Sequence, residues 1–308
     1  MNRRLPLLAL ALSGLLWGLS APLTKVALEA LGPSWLTAAR FVLATVPLLW
    51  VARSGLRAAF RRDVVVSGML GYGVVVALWN EGLSRTSVSH GALMVGGVPA
   101  MVALVALATG RGSAGSRAWT GFVLALGGVA LVASDGGDAS LAGDLLVLGS
   151  MLLSAAFTVR QPELLAGRDP VAVTAVQFAA SAAVTVPYAL LREGTTVPAG
   201  APVVAWLAVG GLVVVGTLLP FTLFAWAQAR TTPEVAGAFL NLEPVVGTAA
   251  GTLAFGDPFG GLQLAGALAV LAGIALSALP EGPLWRLGRR TVAGLRVGRL
   301  VPAGGPHS

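Results

Sequence analysis

The sequence predicts an all-α integral membrane protein of ten transmembrane helices, arranged as two inverted five-helix repeats. Three observations predict it. The 308 residues are 56% hydrophobic and 11% charged, with a mean hydropathy of +0.84, whereas a soluble domain carries about 25% charged residues. Apolar runs of about 17 to 25 residues, the length that crosses a bilayer, recur along the chain. The second half also repeats landmarks of the first.

The ten runs fall near 5–28, 34–52, 64–84, 88–108, 118–134, 143–164, 170–191, 203–229, 234–255 and 261–280. Short connections rich in turn residues separate them: Gly32-Pro33, Ser54-Gly55, Gly110 to Gly115, Asp135-Gly136-Gly137, Asp169-Pro170 and Gly256-Asp257-Pro258. Arg3-Arg4 before the run from Leu5 to Leu23 resembles a signal peptide. The run is long and many spans follow, so the expectation is an uncleaved first helix. The expected units are 1–134, 143–280 and a basic, partly disordered tail over 281–308.

Charge sets the orientation. With the N-terminus inside, Arg3, Arg4, Arg53, Arg57, Arg61, Arg62, Arg111, Arg117, Arg168, Arg230 and the tail arginines all fall on the inner side, and only Arg85 and Arg192 fall outside. The positive-inside rule therefore predicts that both termini are cytoplasmic, and an even number of spans preserves this sorting. The net charge of +7 reads as this signal rather than as a nucleic-acid surface, because the basic residues sit in short loops without interleaved aromatics. The tail segment Pro283 to Arg290 reads as basic and amphipathic, suited to anionic lipid. The chain has no cysteine, which excludes disulfides, thiolate metal sites and cysteine nucleophiles.

Internal repetition decides the class of membrane protein. A shift of 137 pairs Ser13 with Ser150, Pro33 with Pro170, Thr37-Ala38 with Thr174-Ala175, and Phe41 with Phe178. From the third run onward the shift becomes 145, pairing Gly71 with Gly216, Arg85-Thr86 with Arg230-Thr231, Pro99 with Pro244, Gly121 with Gly266, and Gly128 with Gly273. The change falls in the loops after the second and seventh runs, where length is free to vary. Five helices per half force the second half to enter upside down, the architecture of secondary transporters with alternating access.

Several stretches then resemble a known family: Leu16-Trp17-Gly18, Ala39-Arg40-Phe41, Trp79-Asn80-Glu81-Gly82-Leu83, Leu242-Glu243-Pro244, and Gly256-Asp257-Pro258 followed by Gln263-Leu264-Ala265-Gly266. They are similar to the ten-helix EamA-like branch of the drug/metabolite transporter superfamily, in order and over residues 5 to 280. The first half departs from the pattern in carrying Arg111-Gly112-Ser113 where a glycine-acid pair is usual, and Asp257 stands where Glu is more common. The resemblance implies export of small polar metabolites, amino acids or drug-like compounds across the inner membrane. No cofactor is implied. The expected partners are a small-molecule substrate, the lipid bilayer and, as a candidate coupling ion, the proton; a monomer and a homodimer are both compatible.

Glu243 is the first site candidate. A carboxylate within an apolar helix costs at least ~2.5 kcal/mol to insert, so it is expected to face a protein-lined cavity. There it serves as a proton-titrating group or as the partner of a substrate amine; alternatively it is an interhelical hydrogen-bonding group that shapes the Pro244 kink. Pro244 is expected to leave the Leu240 carbonyl without its helical donor. The repeat mate of Glu243, Val98 beside Pro99, is apolar, so the site is asymmetric.

Arg40, Lys25 and Glu81 fall at similar depth near the outer ends of helices one to three, where they can pair as an outer gate, Arg40 also being a candidate for a substrate carboxylate. Alternatively Lys25 snorkels to the interface. Arg160, Gln161 and Glu163, with Gln177 and Gln228, form the inner counterpart, or are interfacial groups at a helix end. Trp17, Trp79, Asn80, Trp226 and Asn241 complete the candidate pocket, although Trp79 and Trp226 also suit the headgroup region. His90 is read as an interfacial polar residue. No His, Glu and Asp spacing suits a metal and no phosphate loop is present, which leaves little support for an intramembrane enzyme. A non-transporting membrane protein, an enzyme or a scaffold subunit, is the alternative class.

Overall fold

The computed structural model describes residues 4–85, 95–111, 115–132, 140–195, 200–255 and 260–278. The loops carrying His90 and Gly256-Asp257-Pro258, the start of the expected helix at 88, and the tail lie outside the described residues. The described residues are helical, with no strand among them. We label the helices α1 (Arg4–Ala27), α2 (Pro33–Val51), α3 (Arg62–Leu83), α4 (Val98–Ala108), α5 (Ser116–Val132), α6 (Leu141–Leu165), α7 (Pro170–Glu193), α8 (Val203–Gln228), α9 (Pro233–Phe239), α10 (Leu242–Phe255) and α11 (Gly261–Ala278). Six of them, α1, α2, α3, α6, α7 and α8, are long and apolar enough to cross a membrane. The protein is thus a multi-pass membrane protein.

Helix starts follow local chemistry. Pro33, Pro170 and Pro233 occupy first-turn positions, where the missing N–H costs nothing. The Asp169 carboxylate accepts from the Val171 N–H at 3.1 Å, and the Thr232 hydroxyl accepts from Val235 at 3.5 Å. The first turn of α2 is capped from a distance. The Glu193 carboxylate at the end of α7 accepts from the backbone N–H groups of Ser34 at 2.8 Å and Trp35 at 3.3 Å.

Helix contacts recur in pairs. α2 lies along α7 and α5 along α11, while α1 meets α8 as α6 meets α3, and α1 meets α10 as α6 meets α4. Two details carry the recurrence to single atoms. The Ser13 hydroxyl of α1 donates to the Pro220 carbonyl of α8 at 3.1 Å, and its repeat mate Ser150 of α6 donates to the Val75 carbonyl of α3 at 2.9 Å. Pro220 and Val75 are themselves repeat mates. Between α5 and α11, a Cβ on Gly128 would lie 2.6 Å from the Gly266 carbonyl oxygen, and one on Gly273 would lie 2.5 Å from that of Gly121. The four glycines let two backbones touch, as small residues do between membrane helices.

Four irregularities interrupt the rods. α1 divides into Arg4–Gly18 and Ser20–Ala27. α3 and α8 each contain a π-helical turn, at Met69–Val74 and Val214–Leu218, in register under the 145-residue shift. The expected ninth helix is two, α9 and α10, separated by Leu240 and Asn241. The break falls just before Glu243 rather than at Pro244. The Leu240 carbonyl also differs from expectation, because it accepts the Glu243 N–H at 3.1 Å. A tighter turn supplies the donor that Pro244 removes.

Candidate functional site

A cavity of about 100 Å³ opens among these irregularities. On a water-sized measure of about 10–15 Å³ per molecule, that is room for several waters or a small polar group. Trp17 and Ser20 of α1, Arg40 of α2, Tyr72, Val76 and Trp79 of α3, Val95 and Val98 at α4, Ser150, Ser154 and Phe157 of α6, Phe221 and Phe224 of α8, and Leu240 and Glu243 line it. Six pairs of repeat mates meet in the lining. Trp17 pairs with Ser154, Ser20 with Phe157, Val76 with Phe221, Trp79 with Phe224, Val95 with Leu240, and Val98 with Glu243. Corresponding backbone positions face one space, while the side chains at them differ.

Arg40 is 3% exposed. Its Nε donates to Thr217 Oγ1 at 2.8 Å and its Nη2 to the Gly216 carbonyl at 2.8 Å. Both acceptors lie in the π-helical turn of α8, and Thr217 in turn donates to the Leu212 carbonyl at 2.9 Å. The acceptors are neutral, so the guanidinium is positioned without being neutralised. Its repeat mate Gln177 carries no charge.

Glu243 is half-buried, and its carboxylate makes no hydrogen bond among the described residues. Arg40 lines the same cavity, yet no ion pair within 4.0 Å joins the two. α1 runs between them: a Cβ on Gly18 would press on Val246 and the Glu243 carbonyl, and one on Gly216 would meet Ser20 and Arg40. Only the absence of a side chain at Gly18 lets α10 approach this closely. The result is one cation and one carboxylate on a common cavity, each without a countercharge in contact among the described residues.

Aromatic rings make much of the wall. Trp17 lies edge-on to Phe221 and Phe224, with centroids 4.9 and 5.1 Å away. Tyr72 packs edge-on against Phe157 at 4.6 Å and Phe221 at 4.7 Å. Trp79 is buried and lines the cavity, so it does not anchor in a headgroup layer. Trp226 instead carries the Arg230 guanidinium 4.2 Å from its ring centroid.

The remaining candidates separate from the cavity. Asn80 is buried and donates to Thr37 Oγ1 at 2.8 Å, and its own oxygen has no partner among the described residues. Asn241 is 1% exposed, and neither side-chain atom is partnered among the described residues. Neither lines the cavity. Lys25 is exposed and does not reach Glu81, which pairs with Arg85 and, at 3.4 Å, with Arg192 of α7. The expected Arg40–Lys25–Glu81 cluster is therefore replaced by Glu81, Arg85 and Arg192. At the opposite end, Arg160 is exposed, and Glu163 pairs with Arg111 at 2.6 Å. Gln177 exchanges bonds with Gln161 and reaches Ser67 at 2.9 Å, and Gln228 donates to the Thr158 carbonyl at 3.4 Å. Pro99 lies in the first turn of α4 and Pro244 in that of α10.

Sequence reasoning missed Tyr72, Thr217, Phe221 and Phe224. Gly71 and Gly216 were visible as a repeated pair, and they sit in the two π-helical turns that carry Tyr72 and Thr217.

A sequence profile of the EamA-like transporter family matches residues 4–134 and 141–279. An uncharacterized transporter of Archaeoglobus fulgidus is 30% identical over 202 residues, spanning 62% of this chain and 68% of that protein. A protein of known crystal structure superimposes with a TM-score of 0.76 at 20% identity, over 94% of this chain and 99% of the other, a likeness that shows the fold.

Proposed function

The chain belongs to the EamA-like transporter family, and from that premise we propose that it is a secondary transporter exporting small metabolites, amino acids or related amphipathic compounds, by alternating access. The observation that carries the reading is the pair Arg40 and Glu243, held on one cavity and not in contact with each other. A guanidinium suits a substrate carboxylate and a carboxylate suits a substrate amine, while the rings of Trp17, Tyr72 and Phe221 suit an apolar side chain. Glu243 is the one acid in the lining and the candidate proton carrier; uniport without a proton uses the same cavity.

The ten-span arrangement, two inverted repeats over 1–134 and 143–280 with both termini cytoplasmic, belongs to this reading. Its supports are the paired helix contacts, the Ser13 and Ser150 bonds and the sorting of arginines. Broken helices around a shared site are the usual construction of such transporters. In the proposed cycle the Glu81–Arg85–Arg192 cluster holds the outer rim and the Arg111–Glu163 pair the inner rim; both are formed in this structure, and one parts at a time. The breaks in α1, α3, α8 and between α9 and α10 take up the bending.

The test is reconstitution of the purified full chain in liposomes, with a panel of labelled amino acids and small amines followed with and without a pH gradient. Saturable flux of a panel member supports the proposal, and its dependence on the gradient decides proton coupling. A folded, inserted chain that moves no compound on the panel favours the non-transporting alternative, an enzyme or a scaffold subunit.

A further inference from the structure

A second concavity lies on the lipid-facing side of the bundle, between α2, α3 and α7, at the end where residues 52–61 connect α2 to α3. It measures about 470 Å³, larger than the central cavity, and is walled by Leu49, Leu56, Phe60, Val65, Met69, Val176 and the small side chains of Ala179, Ala180 and Ala183. Its one charged lining residue is Arg57. We propose that this groove binds an anionic glycerophospholipid, one acyl chain lying along Ala179, Ala180 and Ala183 and the phosphate resting on Arg57.

The apolar wall accounts for the chain. In a membrane protein a groove of this size on the lipid-facing side cannot stand empty, and hydrocarbon is the medium that meets it. Alanine at 179, 180 and 183 of α7 makes the depth, since a larger residue at any of them would fill it. Phe60, 73% exposed, stands at the rim where glycerol and headgroup would begin.

Charge selects the lipid. Arg53, Arg57 and Arg62 make no ion pair among the described residues, whereas Arg61 pairs with Asp63 at 3.5 Å and Arg111 with Glu163 at 2.6 Å. Three guanidinium groups without an ion pair among the described residues thus fall within one short connection and the first residue of α3, beside an acyl-sized groove. That is the arrangement by which basic clefts between membrane helices take anionic headgroups. A zwitterionic lipid would leave the same cations with no net countercharge.

The site also touches the moving parts. Val176 and Met69 in the groove wall adjoin Gln177 and Gly68, and a Cβ on Gly68 would strike the Gln177 backbone at 2.5 Å. The lipid therefore lies against the tight contact of α3 with α7, and its occupancy is expected to bias that contact.

The experiment reads binding rather than flux, so its outcome is separate from that of the transport reading. The full chain, delipidated in detergent, is titrated with palmitoyl-oleoyl phosphatidylglycerol and with the matched phosphatidylcholine, and bound lipid is counted by native mass spectrometry. Phosphatidylglycerol is expected to bind at least several-fold tighter. Arg57→Gln should bring the two lipids together, and Ala180→Phe should weaken both. In parallel, phosphatidylglycerol with a diazirine on its acyl chain is photolysed on the wild-type protein, and labelled peptides are expected within 49–69 and 176–183. Equal affinity for the two lipids, an unchanged preference in Arg57→Gln, or labelling only on other helices would overturn the proposal.

Discussion

Arg40 on α2 and Glu243 on α10 line the same cavity, and each stands where the other half of the chain has a neutral residue, Gln177 and Val98 respectively. The backbone repeats around them and the charges do not. The two oppositely charged groups of the cavity therefore belong to one chemical site laid over a doubled scaffold.

Replacing Glu243 by Gln keeps shape and polarity and removes the ionisable proton. The variant is expected to express and insert as the parent does and to lose flux driven by a pH gradient. Counterflow driven by substrate alone measures what remains. A Gln variant that still concentrates substrate against its gradient removes Glu243 as the proton carrier.

Thr217→Val deletes the acceptor for Arg40 Nε, a group buried with its guanidinium. A buried donor left unsatisfied costs ~1–3 kcal/mol, so thermal unfolding in detergent should shift down measurably. Arg40→Lys should do the same, because one ammonium cannot reproduce the planar fork that reaches both Thr217 and Gly216. Thr217→Ser restores the acceptor and is expected to recover most of the loss.

Gly273→Leu places a Cβ 2.5 Å from the Gly121 oxygen and 2.8 Å from Ala125. Overpacking of that kind costs ~1–3 kcal/mol, and Gly128→Leu should match it on the mirrored contact. Gly127→Ala is the control. Nothing lies within 4 Å of its Cβ, so the unfolding temperature should hold or rise slightly, as exchange of a helical glycine for alanine predicts.

The absence of cysteine makes the chain ready for single-site labelling. With Ser154→Cys as a reporter in the cavity, Glu81→Gln should raise its reaction with an impermeant maleimide from the side bearing Arg85, roughly two- to fivefold for loss of a pair worth up to ~1 kcal/mol. Glu163→Gln should raise it from the opposite side. If neither variant changes labelling from either side, these ion pairs do not hold the rims.

Membrane class and helix positions were legible because long apolar runs and short polar turns have one physical solution in lipid, where every backbone group must bond within its own segment. The repeat was legible because Pro33 and Pro170, or Gly128 and Gly273, stand at fixed shifts. From these, Glu243 and Trp17 were expected on a cavity and Pro99 and Pro244 at helix kinks, whereas both prolines lie in first helical turns.

Partnership was decided only by the tertiary structure. Arg40 and Glu81 look alike in sequence, as charges within apolar helices, yet the first is turned to a π-helical turn of α8 and the second to Arg192 of α7. Long side chains reach several neighbours, and which one they meet depends on how two distant helices rotate against each other. The π-helical turns at Met69–Val74 and Val214–Leu218 left no signal beyond paired glycines, because one extra residue in a turn leaves hydrophobic length unchanged. That single residue nevertheless sets where Tyr72 and Thr217 point, and with them the cation of the site.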